Sequence, residues 1–504
     1  MQAFGIIRLS CSALPADFAR ATTAVLEAAT GCLHRATIVN FRGYGGLKFS
    51  MKYPLLIVFL AVLFLGLFLP TASQAQKAKP TPTPTLVPIN YKLVGVYIQW
   101  SGYERKFLMK DLQTNGTAAK LTHLYYAFAN VGPDLKCYEG SREGWGDAFA
   151  DYGRRYKANE SVSGGIDTWG QRLKGAFNQI KQLKRKNRNL KAIISIGGPL
   201  WSGRFSDAAM PDKRQAFVKS CIDMFIRGNM PLNSEIFSGG LNSGWGVFDG
   251  IDINWQYPAA PGYQGNEKNG LPPNVFRPED TENYTALLAE FRTQLDARGK
   301  LDKRQYSLTI TTPTNERYYS RIQLNKVYQY VDFINVTTFD LYGPWSKFGP
   351  TTFSAPLFPV KNQLGVSPDS VDGIITDYLN AGVPPEKLVL GVSFTGNGWT
   401  NVPDKNNGLF QSSTAMEPAP GTFAAGFEDY KVLKTLNLPQ FRDPETQSLW
   451  LFDGKTFWSY DDPTVIAAKM DYVKQKKLGG AMGWSLDGDD GTLISTMRES
   501  LQTP

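Results

Sequence analysis

Short apolar, β-branched runs recur along the chain, spaced widely enough for a helix to fit between most of them. They begin at residues 91 (YKLVGVYIQW), 121 (LTHLYYAFAN), 190 (LKAIISIGG) and 247 (VFDGIDINW), and continue at 306 (YSLTITTPT), 331 (VDFINVTTFD), 387 (KLVLGVSFTG) and 478 (LGGAMGWSLD). Near-continuous apolar runs of this length predict strands buried on both faces, as in a parallel sheet. Helical periodicity lies between several of them. Residues 167–187 set Leu173, Phe177, Ile180 and Leu183 on one face. Residues 278–299 open with acids, close with basic residues and offer Gly299 as a stop. Eight strands alternating with helices predict an α/β fold, a (β/α)8 TIM barrel, whose ligand face lies at the C-terminal ends of the strands.

Two stretches are too long for simple connections. Between strands seven and eight, residues 396–477 exceed one helix and its loops and include the hairpin-like SLWLFDGKTFWSYDD, with Asp453 and Gly454 at its turn. A small α+β insertion walling one side of the cleft is predicted there. The segment 230–246 before strand four is also longer than an αβ loop needs, and its pattern predicts no element.

Apolar content of 42%, with 13% aromatic residues, supports a sizeable core across 504 residues. Residues 51–75 (MKYPLLIVFLAVLFLGLFLPTASQA) combine Lys52, an apolar core from Leu55 to Leu69, and a small-residue exit at Ser73 and Ala75. That pattern predicts a secretory signal rather than a membrane span, because a span needs about 20 apolar residues. Residues 1–50 are left unassigned: either translation starts at Met51 or they form an extra segment. Residues 76–89 read as an exposed Pro/Thr-rich linker, and 90–504 as the barrel. Removing residues 1–75, which hold six Lys/Arg and two Asp/Glu, lowers the net charge from +9 to +5 (48 basic against 43 acidic residues). No basic run with interleaved aromatics is present, so nucleic acid is not an expected partner. A secreted, extracellular monomer free of the membrane after signal removal is expected.

Past residue 75 two cysteines remain, Cys137 and Cys221, either paired or buried as free thiols. The one histidine there, His123, sits in an apolar strand and reads as a core residue. Neither Ser-His-Asp chemistry nor a His-ligated metal fits, and no cofactor is expected. Sequons occur at Asn115, Asn159 and Asn283, and a fourth at Asn335 lies inside strand six.

Strand four carries the chemistry. Residues two apart on a strand share a face, so Asp252, Asn254 and Gln256 are expected to project together toward the barrel mouth. With Asp249 they occupy the positions of D-x-x-D-x-D-x-E, the strand-four motif of family 18 glycoside hydrolases, the chitinase family. Ser195, Gly197 and Gly198 stand as that family's S-x-G-G, and Thr337, Phe339 and Asp340 resemble its M-x-Y-D. Trp484 in GGAMGWSLDGDD matches its strand eight. From about residue 91 to 500 the chain resembles this family.

The resemblance implies substrate-assisted chemistry: the sugar's own N-acetyl oxygen attacks, the final Glu protonates the leaving oxygen, and the Asp two before it orients the acetamide. Here Gln256 and Asn254 replace both carboxylates, and Phe339 replaces the Tyr whose hydroxyl helps hold the acetamide. Val96 stands where the family often has Tyr, and Pro199 where a Trp is common. No catalytic residue is intact on this reading, so a chitinase-like lectin for chitin or chito-oligosaccharides is expected. Two alternatives remain: a hydrolase with a displaced acid such as Asp340, or a non-catalytic scaffold. Residues expected to touch sugar are Asp252, Asn254, Gln256, Asp340, Trp484, Tyr97, Trp100, Trp201, Tyr342 and Trp345, with Trp399 as a further aromatic at a strand end.

Overall fold

The computed structural model describes residues 89–140, 144–235, 237–266, 268, 270–361 and 369–502. The unassigned segment 1–50, the signal at 51–75 and all but the last residue of the linker at 76–89 lie outside them.

Eight parallel strands close into a barrel: β1 (Lys92–Ile98), β2 (His123–Val131), β3 (Lys191–Gly197), β4 (Gly250–Asn254), β5 (Ser307–Thr312), β6 (Phe333–Val336), β7 (Leu388–Ser393) and β8 (Gly480–Trp484). Each pairs with its sequence neighbour, and β8 returns to β1 with Gly480 opposite Lys92. Every position of β2, β4, β5, β6 and β7 is buried. That double-sided burial is why their sequences run apolar without a gap.

Strand alternation splits the core. Leu93, Tyr97, Ile251 and Ile253 face outward into the layer beneath the helices. Val94, Val96, Tyr125, Ile193, Phe333 and Met482 face one another inside the barrel. His123 packs edge-on against Phe333, and burial drives its pKa down to about 3, so it stays a neutral core residue.

Helix boundaries depart from the sequence pattern at two glycines. The first periodic stretch is helical only over Gly175–Lys186. Gly175 sits at φ +62 against the Asp151 carbonyl, 2.5 Å from where a Cβ would lie, so the chain turns there before the helix begins. In the second, Gly299 does not stop the helix, which spans Asp280–Asp302 and ends at left-handed Lys303. The glycine serves close approach instead: the Arg304 carbonyl would meet a Cβ at 2.5 Å.

Six short strands between Thr395 and Ser459 form a separate antiparallel sheet, including the hairpin Ser448–Phe452 with Phe457–Ser459 around left-handed Gly454. Its own core holds Phe353, Trp399, Met416, Trp450 and Phe457. The helix Pro463–Gln475, capped by Asp462, then returns the chain to β8. The unexplained segment before β4 is a two-stranded hairpin, Met230–Asn233 with Ser238–Gly240. Cys137 and Cys221 are disulfide-bonded, their Cα atoms 5.1 Å apart.

Candidate functional site

A cleft of about 590 Å³ opens at the C-terminal ends of the barrel strands. Its floor is built from β4 and its neighbours, and the side chains of β4 lie at two depths.

Asp252 occupies the lower layer. It is fully buried and sits level with Ser195 on β3 and Thr309 on β5. Its carboxylate accepts hydrogen bonds from the hydroxyls of Ser195 (2.7 Å), Thr309 (2.8 Å) and Thr311 (3.0 Å). Tyr125 bonds to Thr309 in turn, and Asn335 donates to Tyr125 and Thr311. Burial pushes the Asp252 pKa up to about 6, against the pull of those hydroxyl donors. The expectation that Asp252 meets sugar is therefore corrected: it is not among the lining residues, because same-face residues on a tilted barrel strand stand one layer apart. The Asn335 sequon is buried in the same network.

Asn254 and Gln256 form the upper layer and do line the cleft. The Gln256 Nε2 donates to the Asn254 Oδ1 at 3.1 Å. The backbone beneath them is pinned, with the Gln256 N–H donating to the Ser202 Oγ (2.9 Å) and the Ser202 hydroxyl donating to the Asn254 carbonyl (3.2 Å). The adjacent Gly198 explains the double glycine after Ser195. It has φ +75, and a Cβ would fall 2.6 Å from the Phe128 ring.

Trp484 lines the cleft in aromatic company, its ring 5.9 Å from Phe128 and 6.4 Å from Phe339. Val96, Pro199 and Thr337 complete the set of positions singled out in the sequence, and all three line the cleft. Asp340 joins them in a left-handed backbone (φ +52) and accepts a bond from the Asn397 Nδ2 at 3.0 Å. Burial raises its pKa. Trp345 stands at the rim, 54% exposed.

The other predicted aromatics go elsewhere. Tyr97 points outward, stacks between Phe107 and Tyr126 and donates its hydroxyl to the Phe107 carbonyl (2.8 Å), because odd positions of β1 face the helices. Trp201 is buried, with Nε1 donating to the Gly144 carbonyl at 2.7 Å. Trp399 is fully buried in the core of the inserted sheet, with Nε1 donating to the Ser346 carbonyl. Tyr342 buries its hydroxyl and lies outside the lining, its carbonyl accepting from Asn397 (2.8 Å). Trp100 is 41% exposed on the turn after β1 but also falls outside the lining.

The sequence reading missed Tyr257 and Tyr318, whose rings stack at 3.8 Å and 12° and line the wall past β4 and β5. Tyr257 directly follows Gln256, which was signal enough to include it. Tyr318 carries no such signal. Asp369 lines the cleft as well.

The profile of the Glycosyl hydrolases family 18 matches residues 92–489. The chain belongs to that family. Among family 18 relatives, Chitinase C of Streptomyces lividans is 36% identical over 403 residues, covering 79% of this chain and 57% of that protein. Chitinase A1 of Niallia circulans is 34% identical over 453 residues, covering 82% and 59%. The chain thus spans less than two thirds of the length of these relatives. The catalytic domain of the psychrophilic chitinase B from Arthrobacter TAD20 superposes with a TM-score of 0.77 at 38% identity, covering 83% of this chain and 97% of that one. Family 18 membership and the (β/α)8 barrel agree.

Proposed function

We propose that this chain is a secreted, chitinase-like protein that binds chitin or N-acetylglucosamine oligomers without cutting them. The observation that carries the reading is the amide pair on the cleft floor, Gln256 donating to Asn254. Gln256 can hydrogen-bond a glycosidic oxygen but has no transferable proton near neutral pH. Asn254 lacks the charge that would stabilise a cationic intermediate. Phe339 lines the cleft without a hydroxyl.

Losing a positioned general acid costs roughly 10²–10⁴ in rate. Losing a charge aimed at a developing cation costs of order 10²–10³ more, though the two do not simply add. Affinity has no such dependence on carboxylates, since Trp484, Trp345 and the stacked tyrosines offer ring faces to sugar C–H groups. Such a protein would sequester chitin fragments, hiding them from a host that senses chitin. Secretion rests on the apolar segment 51–75, and sequencing the N-terminus of the secreted protein tests it: Gln76 is expected first.

A second reading, a hydrolase with a displaced acid, is favoured by the names of the relatives and by Asp340, a cleft carboxyl whose pKa burial raises. Calorimetry and product analysis on one preparation separate the two. Chitohexaose is expected to bind at micromolar concentration or tighter and to remain intact over days. Release of shorter oligomers would establish the hydrolase, and absence of binding would leave a scaffold.

A further inference from the structure

The end of the barrel opposite the cleft gathers positive charge. Residues 184–191 (KRKNRNLK), which lead into β3, hold five Lys or Arg and no acid, and residues 298–304 (RGKLDKR), which precede β5, hold four against one. Segments that lead into parallel barrel strands lie at their N-terminal ends, away from the mouth. β4 runs between β3 and β5, so the two basic segments flank the loop that enters it, residues 241–249. That loop carries Trp245, 39% exposed. Its carbonyl accepts from the Lys181 Nζ at 2.7 Å, and its ring centroid lies 5.7 Å from the Arg298 guanidinium.

The acids on these three segments are already engaged: Asp249 holds Lys184 and Arg304, and Asp302 holds Arg298. Arg185, Lys186, Arg188, Lys191, Lys300 and Lys303 are exposed and, among the described residues, form no ion pair. The cations also press on one another. Burial lowers the Lys181 pKa, and the charges of Arg185 and Lys184 lower it further. At the start of β1, burial lowers that of Lys92, with Lys387 and Lys191 adding to it against Asp332 and Glu386. Like charges gathered on one face raise its potential by several kT, and a polyanion would relieve that repulsion.

We propose that this face binds an acidic polysaccharide, a polymer of uronate residues whose carboxylates meet the Lys and Arg side chains while a pyranose ring packs on Trp245. A uronate offers charge and ring face in one residue, which matches the patch; phospholipid headgroups offer the charge without the ring. Binding here does not depend on what the cleft does. A protein held this way keeps its barrel mouth free, because the two faces lie at opposite ends of the strands.

The test is calorimetry of the secreted protein with polygalacturonate at about pH 7 and low salt, where the carboxylates are ionised. Polygalacturonate is expected to bind, its methyl ester to bind more weakly by about tenfold or more, and added salt to release the charged polymer. Excess chitohexaose is expected not to compete. Arg185→Gln with Lys186→Gln and Arg188→Gln is expected to cost polygalacturonate about tenfold in affinity, the scale of one charge-assisted contact or more, without lowering the urea-unfolding midpoint. The comparison of polymer and ester on the unaltered protein stands whether or not the triple variant folds. No binding of polygalacturonate, equal binding of its ester, competition by chitohexaose, or full affinity in the triple variant would overturn the proposal. Tighter binding of duplex DNA, or of vesicles of equimolar phosphatidylcholine and phosphatidylglycerol, would also overturn it and give the face to that polyanion.

Discussion

Two layers of polar side chains stand one above the other on β4, and they have met opposite fates. The lower, Asp252 with Ser195, Thr309 and Thr311, keeps a carboxylate wholly enclosed by hydroxyl donors. The upper, Asn254 with Gln256, is a neutral amide pair facing the cleft. A buried acid with three donors cannot be removed without leaving those donors unpaired, whereas the upper pair, Asn254 buried and Gln256 partly exposed, bonds chiefly within itself. The lower layer is enclosed within the barrel; the upper one lines the cleft.

Removing the lower carboxylate is the sharpest way to break that contrast. Asp252→Ala is expected to destabilise the protein by about 3–5 kcal/mol in urea unfolding, since it orphans buried hydroxyls. Asn254→Ala is expected to cost about 1 kcal/mol or less. Similar losses would mean that both layers are structural.

The layers also differ in their response to pH. Folded Asp252 titrates at about 6, against an ordinary value of about 3.9 in the unfolded chain. The folded state therefore holds a proton that the unfolded chain releases between about pH 4 and 6. The contribution of Asp252 to stability falls as pH rises through that window, by up to about 3 kcal/mol, and levels off above it. Asp252→Asn is expected to remove that part of the slope, while Asn254→Ala leaves it. Other buried groups keep their own slopes: Asp151, Glu139, Asp340 and Asp461, whose pKa values burial also raises, act in the same direction, and His123, whose pKa burial lowers, acts in the opposite one.

Restoring acids to the upper layer sharpens the comparison from the other side. Asn254→Asp with Gln256→Glu is expected to leave chitohexaose turnover at or below about 1% of that of a family chitinase, because Phe339 still supplies no hydroxyl. Adding Phe339→Tyr is expected to raise it by roughly tenfold. Brisk activity in the double variant would show that the proposed lack of turnover resides in the two amides alone. The smallest effect is expected at the rim, where Trp345→Ala should cost about 1 kcal/mol of chitohexaose affinity by calorimetry.

Aromatic residues show where sequence reasoning ran out. Trp345 and Trp399 each follow a strand end and carry the same amphipathic ring. One is half exposed at the cleft rim, and the other is fully buried in the core of the inserted sheet. A Trp satisfies its N–H equally well against a core carbonyl or at a wet surface, so its sequence position does not say which. Gly175 and Gly299 pose the same problem: what a glycine is for depends on the backbone that approaches it, and that backbone is distant in sequence or lies past a turn.

The sequence by itself determined the eight buried strands, because burial on both faces leaves an uninterrupted apolar record. It also determined the chemistry of the upper layer, because an amide is not an acid in any fold. Only the tertiary structure decided depth. The period of two along β4 tells which face a side chain takes, but the neighbouring strands set how far below the mouth it lies. That placed Asp252 beneath the floor, Asn254 and Gln256 upon it, and Asp340 beside them, bonded to Asn397.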